Sequence, residues 1–118
     1  RGLQLYNVAM GGTLHQFVDH HLQEQDGATT SHTLTFTKNN AFFDLYGSNA
    51  AINSFHRQAI DQLADSLTIV GQADHDYTIE AVLSKEPGRF IGVQWHPELL
   101  YGVQIGDTAI FDYFVNQF

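Results

Sequence analysis

The sequence predicts an α/β layered fold carrying an antiparallel strand element. Three observations predict it. Helical spacing of apolar residues opens and closes the chain, near 1–10 and 107–118. Between these ends lie short apolar or alternating runs separated by turn residues, which is the pattern of strands. Two of those runs, 67–73 and 78–83, flank Asp74-His75-Asp76-Tyr77 and read as a hairpin. Helices and strands mixed in this order require packed layers, with the hairpin as an antiparallel insertion or edge.

The elements follow in order. Arg1 to Met10 predicts a helix stopped by Gly11-Gly12. No Ser, Thr, Asp or Asn precedes it as a cap, so the chain is expected to begin inside an element. Thr13 to Ser31 is polar and predicts a loop with at most one helical turn. His32 to Thr37 alternates and predicts a half-buried strand. Asn39-Asn40 marks a turn or a cap before a short helix, Ala41 to Tyr46, ended by Gly47. Ala50 to Phe55 predicts a strand leading to His56, and Gln58 to Leu63 a short helix or turn. Leu67 to Ala73 and Thr78 to Leu83 are the hairpin strands. Glu86-Pro87-Gly88 is a turn, and Arg89 to Gln94 a strand. Ile110, Phe111, Phe114, Val115 and Phe118 share one face of a terminal helix, with Asp107 as its N-cap.

The strand 89–94 ends in Trp95-His96-Pro97-Glu98. Residues two apart in extended chain share a face, so Glu98 can accept the imidazole N–H of His96 and fix its tautomer. Pro97 supplies no N–H and ends the pairing. Alone, a His-x-Glu pair is also an ordinary surface ion pair. At the end of a buried strand it is two thirds of a nucleophile–base–orienter triad.

Composition narrows the classes. The chain has 118 residues, enough for one domain with a sizeable core. Net charge is −8, and the five basic residues Arg1, Lys38, Arg57, Lys85 and Arg89 form no run, which argues against nucleic acid or an anionic membrane as partner. No apolar run reaches the roughly 20 residues of a membrane span. Cysteine is absent, which rules out disulfides and thiolate metal sites within the chain and fits a cytoplasmic protein. His15, His20, His21 and His32 match no closed metal site by spacing, so no metal or cofactor is expected.

Three separated motifs then carry a resemblance. Arg1-Gly2-Leu3-Gln4-Leu5-Tyr6-Asn7-Val8 with Gly11-Gly12-Thr13-Leu14, Asn53-Ser54-Phe55-His56-Arg57-Gln58-Ala59, and Gly92-Val93-Gln94-Trp95-His96-Pro97-Glu98 resemble the class I glutamine amidotransferase superfamily. The nearest branch is the γ-glutamyl-γ-aminobutyrate hydrolase type, grouped with the C26 peptidases. The resemblance covers essentially the whole chain. It implies a flavodoxin-like three-layer sandwich, of which residues 1–118 are the C-terminal portion of one domain. The family's nucleophile lies in a turn written Cys-Arg-Gly-x-Gln. Arg1-Gly2-Leu3-Gln4 matches that turn from its second residue, so the resemblance implies a cysteine immediately before Arg1 and sheet strands before that.

The implied enzyme hydrolyses γ-glutamyl amide bonds through a Cys-His-Glu triad and a γ-glutamyl thioester. His96 acts as base and then acid, Glu98 orients it, and the backbone N–H of Arg1 donates to the oxyanion. Gln4 is implied to bind the γ-glutamyl group; a polar cap on a buried helix is the alternative. Asn53, Ser54 and His56 are implied to shape the substrate site, and a structural histidine is the alternative at His56. Two departures stand out: His56-Arg57-Gln58 where the family often has His-His-Gln, and Asp76-Tyr77 where it commonly has Asp-Gly. The second removes a residue suited to positive φ, so an altered turn is expected.

Two other functions share these motifs. One is a glutaminase subunit supplying ammonia to a synthase partner. The other is a truncated binding or structural remnant. The expected partners are a small γ-glutamyl substrate and a second copy or a complementing N-terminal half.

Overall fold

The computed structural model describes residues 1–117. Its elements are α1 (Gly2–Ala9), β1 (Leu14–His15), β2 (His32–Phe36), α2 (Ala41–Tyr46), β3 (Asn49–Ile52), β4 (Ala59–Ile60), β5 (Leu67–Ala73), β6 (Ile79–Ser84), β7 (Ile91–Val93) and α3 (Ile105–Gln117), with a 3-10 turn at Pro97–Leu99. Five strands form one antiparallel sheet in the order β3-β2-β5-β6-β7; β1 and β4 pair separately.

The hairpin is present as predicted, with Leu67 opposite Ser84 and Gln72 opposite Ile79. Its register shifts around Gly71. A Cβ there would lie 2.8 Å from a Leu34 methyl and 3.1 Å from the Ala81 Cβ, so only glycine lets the three strands close. The turn differs from expectation. Tyr77 itself adopts φ 60°, so the left-handed turn persists without a glycine. Its N–H bonds to the Ala73 carbonyl and its own carbonyl accepts from the Gln72 amide, which holds the conformation. Left-handed backbone costs about 1–2 kcal/mol for a residue with a Cβ. Tyr77→Gly should therefore be neutral or up to about 1 kcal/mol stabilising, once glycine's larger unfolded-state entropy is subtracted. Denaturant midpoints check this.

Successive strand residues point to opposite faces. Ala81 packs with Leu34, Phe36, Phe42, Ile52, Val70, Trp95, Leu100 and Ile110, beneath α2 and α3. Its neighbour Val82 packs with Leu3, Ile60, Ala64, Leu67 and Ile79, beneath α1. The sheet therefore carries helices on both faces, in three layers. β6 is buried on both, which explains its nearly continuous apolar sequence.

Several expectations need correction. Gln58–Leu63 is not a helix: Ala59 and Ile60 form β4 against His15 and Leu14. Both are buried, and Asn7 ties the following loop to α1, so tertiary contacts override the helical spacing. The 50–55 strand stops at Ile52 because Asn53 and Ser54 turn their polar side chains inward. The loop 13–31 contains β1 and a bridge between Leu22 and Phe55 rather than a helical turn.

Asp107 is not a cap. α3 starts at Ile105, and the Asp107 carboxylate lies fully buried, accepting from Trp95 Nε1 at 3.0 Å and Tyr46 Oη at 2.8 Å. Burial raises its pKa, and burial also raises that of the Tyr46 hydroxyl beside it. A carboxyl with a raised folded-state pKa binds more protons folded than unfolded, so its contribution falls as pH climbs from about 4 through the folded value. Asp107→Asn removes that dependence. The stability difference between Asp107→Asn and the parent should move in favour of the variant from pH 4 to pH 7, as measured by urea unfolding.

The terminal helix is less buried than its stripe predicts. Ile110 is buried, whereas Phe111, Phe114 and Val115 remain exposed; Phe118 lies outside the described residues. Phe111 and Phe114, with Ile91, Val93 and Pro97, line an open apolar groove beside β7. A second groove, on the other face of β7, is lined by Leu3, Leu5, Tyr6, Phe90 and Gly92. β7 is an edge strand with apolar surface on both flanks.

Candidate active site

The site is built at the end of β7. Val93 closes the strand, Gln94 and Trp95 turn inward, and His96 emerges half-exposed before the 3-10 turn begins at Pro97. His96 Nδ1 lies 2.7 Å from Glu98 Oε1. A carboxylate only accepts when ionised, so Nδ1 carries a proton, and in the neutral ring Nε2 is the bare nitrogen. The backbone of His96 is held equally firmly. Its N–H donates to Asn53 Oδ1 at 2.8 Å, and its carbonyl accepts from Asn53 Nδ2 at 3.0 Å. Phe55 sets its edge against the ring, 5.9 Å between centroids. The structure thus brings His96 and Glu98 together, and Asn53 fixes the peptide that carries them.

α1 approaches from the other side. Leu3 lies over Gly92, where a Cβ would come within 2.7 Å of a leucine methyl. Gln4, buried, donates to the Gln58 carbonyl at 2.8 Å and lies 3.4 Å from Gln94 Oε1. Arg1 is exposed, and its carbonyl accepts the first helical bond, from Leu5. The first turn of α1 is consequently fastened to the segment that delivers His96.

Asn53, Ser54 and His56 are all buried. Ser54 Oγ donates to the His21 carbonyl at 2.6 Å, and the Ser54 N–H bonds to Gln23 Oε1 at 2.6 Å. His56 Nδ1 lies 2.8 Å from the Gln58 carbonyl, and Nε2 lies 3.1 Å from Glu80 Oε1. These side chains spend their hydrogen bonds on the protein.

A second cluster, not visible from spacing along the chain, surrounds Glu80. Glu80 is fully buried on β6 and faces His32 Nε2 at 3.2 Å, His56 Nε2 at 3.1 Å and His21 Nδ1 at 3.6 Å. His21 Nε2 lies 2.8 Å from Asp76 Oδ2. Burial lowers the His21 pKa despite both acids. Burial alone would raise the Asp76 carboxyl, but the Thr78 N–H and His21 outweigh it and bring it to about 2. For Glu80 too, burial acts to raise the pKa, but its histidines outweigh it and the value falls. The legible signal was an acid at an interior position of an otherwise apolar strand, Ile79-Glu80-Ala81-Val82.

Known proteins share both the motifs and the fold. The family model for Peptidase C26 matches residues 1–98. The protein NtpR of Enterococcus hirae is 32% identical, over 100% of this chain and 53% of its own length. A candidate glutamine amidotransferase-like protein of Lactococcus lactis, YvdE, is 35% identical over 98% of this chain and 51% of its own. Among solved structures, a glutamine amidotransferase from Thermotoga maritima superposes with a TM-score of 0.62 at 17% identity, over 80% of this chain and 36% of that one. A candidate GMP synthase subunit from Thermoplasma acidophilum gives the same 0.62, at 15% identity, over 97% of this chain and 57% of that one. Fold and sequence together define a member of the class I glutamine amidotransferase superfamily with the flavodoxin-like class I fold. Within it, the chain belongs to the Peptidase C26 family. It spans about half the length of the curated relatives it matches.

Among the described residues no helix is long and apolar enough to cross a membrane.

Proposed function

We propose that this chain supplies the base and orienting acid of a cysteine-dependent hydrolase of γ-glutamyl amide bonds, with γ-glutamyl-γ-aminobutyrate as the type of substrate. The observation that carries the reading is the 2.7 Å contact between His96 Nδ1 and Glu98 Oε1 at the end of a strand whose backbone Asn53 clamps. That contact leaves His96 Nε2 free to take a thiol proton.

The chain holds no cysteine. In the full-length protein the thiol precedes Arg1, at the amino end of α1. Gln4 and Leu3 fasten that end of the helix to the strand carrying His96. A helix N-terminus stabilises a thiolate, and we assign the Arg1 N–H to the oxyanion. The thiolate attacks the γ-carbonyl, His96 hands its proton to the departing amine, and water, deprotonated by His96, releases glutamate from the thioester. Gln4 lies in the first turn of α1, and we assign it to the γ-glutamyl group. Asn53 acts through the His96 backbone as a positioning residue, and we assign Ser54 and His56, which hold the His21 and Gln58 carbonyls, to shaping the substrate site. The open edge of β7 with its two apolar grooves takes further sheet strands from the N-terminal half of the same domain, so residues 1–118 form its C-terminal portion. We place the enzyme in the cytoplasm, which suits a chain built without disulfides.

The test is hydrolysis by the full-length protein. Release of amine from a γ-glutamyl amide without a partner protein supports the reading. Turnover of glutamine only when a synthase is present supports the glutaminase-subunit reading instead, which the fold shared with a candidate GMP synthase subunit keeps in view. Absence of turnover with either substrate class, under both conditions, supports a structural remnant. Glu98→Gln should lower kcat about a hundredfold to ten-thousandfold with a smaller change in KM, because the imidazole loses its tautomer lock.

A further inference from the structure

We propose that His21, His32, His56 and Glu80 form a binding site for a divalent transition-metal ion of the zinc class, separate from His96 and Glu98.

Proton placement in the cluster supports this. His21 Nε2 faces the Asp76 carboxylate at 2.8 Å, so this nitrogen carries the ring proton. In a neutral ring, His21 Nδ1 is then a bare lone pair. It is buried, has no hydrogen-bond partner, and faces Glu80 Oε1 at 3.6 Å. His56 repeats the pattern. Its Nδ1 is 2.8 Å from the Gln58 carbonyl, which can only accept, and 3.3 Å from the Gln94 amide nitrogen; in the neutral tautomer set by the shorter contact, Nδ1 is protonated and Nε2 is bare. That Nε2 also faces Glu80 Oε1, at 3.1 Å. His32 brings a third ring nitrogen to the other oxygen, Glu80 Oε2, at 3.2 Å. In these neutral tautomers, lone pairs of His21 and His56 converge on a fully buried anion. Charging the rings to supply the missing protons would place several imidazolium groups side by side, with His21 and His56 only 4.7 Å apart between centroids. A single dication fits the His21, His32 and Glu80 ligand atoms, which lie within 4.8 Å of one another, and His56 Nε2 faces it across Glu80 Oε1.

The outer partners fit the same reading. Histidines that bind metals usually donate their other N–H to a carboxylate or a backbone carbonyl. His21 does so to Asp76 and His56 to the Gln58 carbonyl. Ligand atoms of His21, His32 and Glu80 lie within 4.8 Å of one another. Tetrahedral zinc with bonds of about 2.0–2.1 Å needs ligand separations of roughly 3.3 Å, so separations of up to 4.8 Å close by as much as about 1.5 Å on the ion. Imidazole donors favour zinc, copper, nickel or iron over magnesium or calcium, which prefer all-oxygen sites. One dication against Glu80 and Asp76 leaves the site formally neutral.

The four ligands come from separate parts of the chain: His21 from the long polar loop, His32 from β2, His56 from the segment after β3, and Glu80 from β6. An ion here fastens the 13–31 loop to the sheet. That loop has little apolar content of its own, so metal binding would add directly to its stability.

The full-length protein, stripped with a chelator, is dialysed against Zn²⁺ and its metal content measured; Co²⁺ is titrated separately for its visible spectrum. One equivalent of zinc, the intense absorption of tetrahedral Co²⁺, and a raised Tm are expected. His32→Ala and Glu80→Gln should abolish the stoichiometric binding. Asp76→Asn should weaken it about 10–100-fold, as for other outer partners. His75→Ala should leave it intact; His75 neighbours Asp76 and belongs to a rival cluster with His21 and Asp76. Far-UV circular dichroism and a cooperative melt identify variants that fail to fold; if Glu80→Gln is one, His32→Gln and His56→Gln take its place. No zinc retained by the folded wild type overturns the proposal. So does zinc retained equally by folded His32→Ala, or zinc lost in His75→Ala.

Discussion

Replacing His96 with alanine in the full-length protein is expected to lower turnover of γ-glutamyl amides by about four to six orders of magnitude. The reason lies in how few groups can move a proton at this site. With Nδ1 bonded to Glu98 at 2.7 Å, Nε2 is the nitrogen we assign as base. His56 is buried and turned toward Glu80. Loss of the base from a nucleophile–base–acid unit removes nearly all of the unit's contribution, because the members act together. The fold should be unaffected. His96 is half-exposed, and Asn53 holds its backbone rather than its ring. Steady-state kinetics beside a thermal melt separates the two effects: kcat/KM collapses while Tm stays within a degree or two. Asn53→Ala should behave differently. It leaves the imidazole in place but frees two backbone groups of His96, so kcat and stability should fall together.

The second large effect is on stability, at Asn7. This side chain is fully buried between α1 and the loops around it. Its amide nitrogen donates to the Thr13 and Gln62 carbonyls, each at 3.2 Å, and its oxygen accepts from the Ala64 N–H at 2.8 Å. Gly12 closes against it so tightly that a Cβ would sit 2.2 Å from the Asn7 oxygen. Asn7→Ala orphans these backbone groups and opens a hole beneath Gly12. A buried polar group left without a partner costs about 1–3 kcal/mol, and some of these groups keep other bonds, such as that between Thr13 and Gln62. The expected loss is about 3 kcal/mol, read as a shift in urea midpoint at unchanged m-value. Gly12→Ala should destabilise through the same contact, and the two substitutions should be less than additive because each removes the other's partner.

The sequence made much of this fold legible where local chemistry and tertiary packing agree. Leu67–Ala73 is a strand in both, and β2 alternates as His32-Thr33-Leu34-Thr35-Phe36 requires. Asn40 accepts from the Phe43 N–H, as a cap should. The pairing of His96 with Glu98 was legible because it spans only two residues of extended chain. Reading failed where distant partners decide. Ala59 and Ile60 pair with His15 and Leu14 far upstream, and no local spacing announces it. Asp107 looks like a cap from its neighbours, yet Trp95 and Tyr46 draw it inward. Spacing along the chain does not reveal the histidine cluster. Topology brings His21 and His32 to Glu80, which lies 48 residues from His32. Tyr77 shows a third kind of failure: hydrogen bonds at its own N–H and carbonyl keep a turn whose usual residue is missing.

Covalent labelling of the full-length protein with an electrophilic glutamine analogue would reach the heart of the matter. A peptide map should place the adduct on a thiol directly before Arg1, with labelling slowed by about a hundredfold or more in His96→Ala. An adduct elsewhere, at Ser54 for instance, or labelling that proceeds unchanged without the imidazole, would contradict the assignment of His96 as the base.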